Sequence, residues 1–188
     1  MAEISLNLRC ERVAADAVEP LQAILAACGA DLRDRLGLAY WDPPYPLEAL
    51  RRDAVERAVY AVHAGGQLAA TFTAGTTPPY SYFEAAAWLE PAARALYVSH
   101  LGVLPALQGQ GIGVGCLAAI ERLARDGSCA AVRFDAFAGH PALLRFYDLA
   151  GYERRGAVQW QNGGEGVLFE KHLPGSTAVI VGEEREGR

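Results

Sequence analysis

Four glycines, Gly109, Gly111, Gly113 and Gly115, stand at every second position just ahead of a helix-periodic stretch. Such a run leaves few side chains in the way, so main-chain amides at a helix start can approach an anion. Three phosphate-binding loops have glycines of this kind, and spacing separates them. A dinucleotide fingerprint needs G-x-G-x-x-G, but the sixth position is Val114 when counted from Gly109 and Cys116 when counted from Gly111. A triphosphate loop needs G-x-x-x-x-G-K-[ST], and no lysine lies near these glycines. What remains is Q-x-x-G-x-G at Gln108, Gly111 and Gly113, a grip for a pyrophosphate, or else a glycine-rich turn that binds nothing.

The flanking elements must hold this loop. Upstream, Leu96 to Val103 is a β-rich run that Pro105 stops, and its alternation predicts that Tyr97, Ser99, Leu101 and Val103 share a face. Downstream, Ile112, Cys116, Ala119, Ile120 and Leu123 recur with helical period, with Gly127 as a terminator. Ala130 to Phe137 then alternates Val132 and Phe134 against Arg133 and Asp135, as a strand with unequal faces does. Strand, glycine loop, helix and strand make a βαβ unit, so the two strands should run parallel as neighbours. Pro141 to Ala150 reads as a further helix with Leu143, Phe146, Tyr147 and Ala150 on one face. Gly151 ends it and Tyr152 folds back on its last turn.

These residues resemble the GCN5-related N-acetyltransferase (GNAT) family at two separate places. Gln108, Gly111 and Gly113 fit its [QR]-x-x-G-x-[GA] loop. Phe146, Tyr147, Gly151 and Tyr152 fit its N-x-x-A-x-x-F-Y-x-x-x-G-[FY] segment in order, with His140 where the asparagine usually stands. The match is strong from Leu96 to Tyr152 and looser from Glu3 to Leu173. The resemblance implies a mixed α/β fold: a central, mostly antiparallel sheet with one parallel pair, the fourth and fifth strands, flanked by helices on both faces. It further implies acetyl-CoA as co-substrate and transfer of its acetyl group to a primary amine of a small molecule or peptide. The cofactor would be held by Leu101, Gly102, Val103, Gln108, Gly109, Gln110, Gly111, Ile112, Gly113, His140 and Tyr147. Its pantetheine arm would lie between the parallel strands like an added strand, and Tyr147 would protonate the departing thiolate. An acyl-CoA-binding module without turnover is the alternative, and Tyr147 favours the enzyme because binding alone needs no proton donor.

Attack requires a neutral amine, whereas an amine with a pKa near ~10.4 is almost wholly protonated at pH 7, so a base or a proton-carrying water should assist. Family members often place such a group on the face of Tyr97 and Ser99, which makes Ser99 a candidate. His100 titrates in the right range, but alternation points it to the opposite face. Glu84 is a second candidate, because it lies in the connection from Gly75 to Pro91, far longer than a hairpin turn. That connection and the segment Leu38 to Pro46 are rich in aromatics and proline. Tyr40, Trp41, Asp42, Tyr45, Tyr80, Tyr82, Phe83, Glu84 and Trp88 could wall a site for a cationic or partly apolar amine by ring contacts and carboxylates, with Tyr40, Trp41, Tyr82 and Trp88 the first candidates and the duller role being to cover the core.

The whole chain has 188 residues, 52% hydrophobic and 21% charged, which is ordinary usage for a single globular domain. That domain is read over 1–173, with 174–188 a tail in which Thr177 to Val181 adds a strand before a mobile end. A net charge of −5 argues against a nucleic-acid partner, which a basic stripe would serve. No apolar run is long enough to span a bilayer and no secretory leader is recognisable, so a cytoplasmic protein without a membrane partner is expected. The partners are then acetyl-CoA and an amine acceptor, and a homodimer is compatible. Cys10, Cys28, Cys116 and Cys129 form no C-x-x-C pair, so buried thiols are expected rather than a metal site or disulfides. Elsewhere the pattern predicts a strand over Ile4 to Arg9, helices over Ala17 to Ala30 and Leu47 to Glu56, a hairpin of Val59 to His63 with Gln67 to Thr73, and a closing pair of Gly156 to Gln161 with Gly166 to Leu173.

Overall fold

The computed structural model describes residues 7–39, 41–84, 86–160 and 163–174. Tyr40 and the expected strand in the tail lie outside the described residues. In chain order the elements are β1 (Leu8–Val13), α1 (Glu19–Leu36), α2 (Leu47–Glu56), β2 (Ala58–Ala64), β3 (Gln67–Gly75), β4 (Ala95–Val103), α3 (Ile112–Asp126), β5 (Ala131–Phe137), α4 (Pro141–Leu149), β6 (Glu153–Gln159) and β7 (Glu165–His172). The strands form one mixed sheet in the order β1-β2-β3-β4-β5-β7-β6. The β4–β5 pair is parallel and the other pairs are antiparallel. Of the strand expected over Ile4 to Arg9, residues 4–6 lie outside the described residues, and the strand described is Leu8–Val13. The first helix runs on to Leu36, where Gly37, at φ 67°, takes the left-handed conformation that ends it.

Helices cover both faces. Leu21, Ile24, Leu25 and Cys28 of α1 and Leu50 and Ala54 of α2 pack over β2 and its neighbours on one side. Ile112, Cys116, Leu117 and Ile120 of α3, with Leu144 and Tyr147 of α4, pack with Phe72, Leu96, Val98, Val132 and Phe134 on the other. Cys28, Cys116 and Cys129 are buried, as expected, while Cys10 is half-buried; all four are free thiols.

Two features of β4 shape everything that follows. Its parallel ladder with β5 is short: Ala95, Leu96 and Tyr97 pair with Ala131, Val132 and Arg133, and from Val98 and Phe134 onward the strands diverge. The second feature is a bulge. Ser99 pairs with Thr73 but Gly102 pairs with Thr71, so β4 accommodates one more residue than β3 between these points. His100 absorbs it at φ 54°, a left-handed conformation that costs a non-glycine residue on the order of 1–3 kcal/mol.

The bulge overturns the alternation read from sequence. Tyr97 and Ser99 face the side covered by α1 and α2, whereas Leu101 and Val103 pack with the α3 cluster. His100 joins Ser99 instead of opposing it, with its ring against Tyr45 at 3.9 Å between centroids. Gly102 follows on the same side, close beneath Leu25, Cys28 and Trp41.

Candidate active site

The turn from β4 into α3 is organised by its side chains and leaves its amides open. Gln108 Nε2 donates to the carbonyl of Val103 at 3.1 Å and Gln110 Nε2 to that of Ala106 at 3.3 Å, so both glutamines brace the loop on itself. The Gln108 amide is already engaged by the Pro105 carbonyl. The amides of residues 109–114 make no main-chain hydrogen bond among the described residues, and Gly109, Gln110 and Gly111 are exposed. These donors stand at the positive end of a helix, where a phosphate is stabilised. The four glycines divide their work. Gly109 and Gly111 adopt φ 75° and 84°, which shapes the turn. A Cβ on Gly113 would lie 3.2 Å from the Phe146 ring and one on Gly115 would collide with Leu8 Cδ1, so these two serve helix packing. Ile112 is buried in the core and has only its amide to offer.

Tyr147 is placed by local geometry. The Tyr152 amide donates to the Tyr147 carbonyl at 3.1 Å and the Gly151 amide to that of Asp148 at 3.0 Å, a Schellman ending with Gly151 at φ 81°. Phe134, Phe146, Tyr152 and Phe169 surround the Tyr147 ring. Burial raises its hydroxyl pKa, with added contributions from the Asp135 carboxylate and the Cys116 thiol, so it holds its proton at neutral pH. At the other end of α4, His140 Nδ1 accepts from the Leu143 amide at 3.3 Å. The imidazole therefore caps the helix, and that nitrogen is spent.

The divergence of β4 from β5 opens a narrow cavity of about 60 Å³ between Val98 to Leu101 and Phe134 to Phe137, with Tyr147 and Leu143 on its helical side. A larger cleft of about 690 Å³ adjoins it, walled by Trp41, Tyr45, Tyr80, Tyr82 and Trp160. Trp41, Ser99, His100 and Asp135 line both. The structure thus brings Ser99, Trp41, Tyr82 and Tyr147 together. It places Glu84 on the exposed surface, away from both cavities, and buries Trp88 in a core cluster with Phe83 and Tyr97.

Asp135 and Trp160 are cleft residues that the sequence reading did not select, His100 is one that alternation turned away, and Tyr45 and Tyr80 stood among its wall candidates. Asp135 Oδ2 accepts from the Tyr82 hydroxyl at 2.9 Å and from Trp160 Nε1 at 2.8 Å. Burial raises its carboxyl pKa, which those two donors partly offset. His100 is held neutral: burial, then the Arg57 cation, pushes it down to about 3. Its Nδ1 has no hydrogen-bond partner and sits 3.8 Å from Asp53 Oδ2, which accepts from the Tyr45 hydroxyl at 2.9 Å. A signal for Asp135 existed, since an acid inside a buried strand calls for a reason. None existed for His100, because the bulge that turns it inward is a product of pairing.

The long connection before β4 is fastened to the sheet by charge. Arg133 and Glu170 are both fully buried and meet at 2.9 Å, and Arg133 also reaches the Glu90 carbonyl. Glu170 takes further donors from the Leu89 amide and Arg155. Burial works against ionising Glu170, yet these donors prevail and hold its carboxyl below the usual range. The aromatic wall of the cleft, from Tyr80 to Tyr82, therefore hangs from an anchored loop.

Residues 25–152 match the profile of the Acetyltransferase (GNAT) family, and the chain belongs to that family. No curated protein matches it. Among solved structures, a GNAT-family acetyltransferase from Streptococcus agalactiae superposes with a TM-score of 0.75 at 14% identity, over 88% of this chain and 95% of that one. One from Listeria monocytogenes gives 0.70 at 17%, over 92% and 99%. A GNAT-family acetyltransferase from Elizabethkingia anophelis, with acetyl-CoA bound, gives 0.62 at 15%, over 89% and 99%. At these identities the likeness is one of fold.

Proposed function

We propose that this chain, as one catalytic domain over 1–173, transfers the acetyl group of acetyl-CoA to a primary amine by direct attack. The observation that carries this reading is the meeting of two cavities at Ser99, His100 and Asp135, with Tyr147 lining one of them and open amides at the start of α3. The residues fit the co-substrate: amides of 109–114 suit its pyrophosphate, and the unpaired facing edges of β4 and β5 suit an amide-bearing arm that adds as a strand. When bound, acetyl-CoA supplies a thioester carbon open to an amine.

The chain's own groups then divide the task. Main-chain amides along the open edge of Leu101 to Val103 stabilise charge on the carbonyl oxygen. As the nitrogen–carbon bond forms and the carbon–sulfur bond breaks, Tyr147 gives its proton to the sulfur. The acceptor ammonium first loses one proton to solvent and attacks as the neutral amine, and the second proton, shed from nitrogen as the amide forms, replaces that of Tyr147. Ser99 accepts from Arg57, which leaves its own hydroxyl hydrogen to donate at the junction. Glu84, on the surface, is outside this arrangement.

The test is release of free thiol from acetyl-CoA across a panel of small amines and free peptides, with products read by a mass gain of ~42 Da, that of an acetyl group replacing a hydrogen. Amine-dependent thiol release is expected. Tight acetyl-CoA binding with no release across the panel would make the protein a binding module instead.

A further inference from the structure

Resting on the acetyltransfer reading, we infer that Asp135 and the rings around it form a binding site for the ammonium of a compact primary amine with an apolar body, rather than for a peptide or protein amine. Among the described residues, the lining of the wide cleft carries one formal negative charge, that of Asp135, and no lysine or arginine. His100 faces the same space in its neutral form and does not cancel that charge.

The carboxylate is built in rather than incidental. It sits on a central strand, half-buried, and two donors from different parts of the chain fix Oδ2: Tyr82 in the anchored connection and Trp160 in the turn between β6 and β7. Trp160 itself lies over Gly166, where a Cβ would come within 2.6 Å of the indole, and stacks on Phe137 at 6.0 Å. Tyr80 stacks on Tyr82 at 5.3 Å. These rings present faces and edges to whatever occupies the cleft, and ring faces attract cations as well as apolar carbon.

Position supplies a second ground. Asp135 lies where the wide cleft opens into the gap beside Tyr147, so an ammonium held there is held next to the transfer point. Size supplies the third. About 690 Å³ falls within the range of roughly 300–1,000 Å³ usual for small-molecule sites. A peptide would bring amides that need partners, and beside Asp135 the polar side chains that the described residues offer in the lining are Ser81, Ser99, the tyrosine hydroxyls, His100, Gln159 and the indole N–H groups of Trp41 and Trp160, the last already given to Asp135.

The experiment compares ring-bearing and branched alkyl primary amines, a short polar diamine, and free tripeptides as acceptors for the full-length protein, then repeats the best acceptor with Asp135→Asn. The apolar monoamines should give the highest kcat/KM. Asp135→Asn keeps an oxygen for Tyr82 and Trp160, and should raise KM for the amine by about 30-fold, the loss expected for one charge-assisted contact. Its calorimetric affinity for acetyl-CoA should stay within about two-fold, which also shows that the variant is folded. Tyr80→Ala should erase the preference for apolar amines over the polar diamine while preserving acetyl-CoA binding. Turnover of tripeptides above the monoamines, or an unchanged amine KM in Asp135→Asn, overturns the inference and leaves acetyltransfer standing. Absence of thiol release with every acceptor overturns both.

Discussion

Arg57 donates to the Ser99 hydroxyl at 2.7 Å and to the Tyr97 carbonyl at 2.8 Å, tying the end of α2 to the part of β4 where the strand begins to leave β5. The guanidinium is largely buried and, among the described residues, meets no carboxylate at hydrogen-bond distance, so these two oxygens are its anchors. Ser99 is therefore a structural support as well as a cleft residue. Ser99→Ala should lower stability by about 1–3 kcal/mol, the cost of leaving a buried donor unpaired. Urea unfolding measures this, and a variant as stable as the parent would show that Arg57 finds another acceptor.

Tyr147→Phe keeps the ring among Phe134, Tyr152 and Phe169 and removes only the hydroxyl. The expected outcome is a kcat lower by about 10²-fold, the lower end for a lost general acid, with acetyl-CoA affinity nearly unchanged. Steady-state rates and calorimetry read the two separately. A full rate would transfer the proton-donor role to solvent.

Glu170 serves Arg133, Arg155 and the Leu89 amide at once. Glu170→Ala leaves the Arg133 guanidinium buried without its carboxylate, which costs about 3–5 kcal/mol in comparable settings. Because the connection bearing Tyr80 and Tyr82 hangs from this pair, KM for the amine should rise as well. Stability lost with an unaltered amine KM would mean that the loop holds its place without the ion pair.

His100 gives the fold a dependence on pH whose sign follows from its downward shift. Below its ordinary value of 6.5 an unfolded chain takes up a proton that the folded chain refuses until about pH 3. Stability from this group is therefore complete above pH 6.5 and declines as pH falls toward 3. Glu170, held below 4.5, loses its contribution at still lower pH, whereas Asp53 and Asp135, both raised by burial, oppose the trend. His100→Gln should flatten the decline in unfolding free energy between pH 6.5 and 4 relative to the parent. Parallel curves for the two proteins would show that His100 takes up its proton in the fold.

What could be read from sequence was what is local in the chain. The turn at Gly109 and Gly111, the helix ending at Gly151 and Tyr152, and the parallel strands flanking α3 all follow from spacing over a few residues. What could not be read depends on how distant strands register. Alternation alone put Leu101 with Ser99 and turned His100 away; one extra residue in β4 against β3 reversed both. Trp88 and Trp41 looked equivalent as aromatic residues in proline-rich segments. The Nε1 of Trp88 is satisfied at 2.6 Å by the Phe83 carbonyl within a buried cluster, while Trp41 borders both cavities. His140 looked like a cofactor ligand because of its motif position, and the structure uses its Nδ1 to cap α4.

A crystal structure with acetyl-CoA tests the central claim most directly. The account predicts the pyrophosphate within hydrogen-bond reach of amides between residues 109 and 114, and the thioester in the gap beside Tyr147. Gly111→Glu should abolish that binding, since it sets a carboxylate among the same amides. A pyrophosphate seated elsewhere on the protein, or undiminished calorimetric binding by Gly111→Glu, would contradict it.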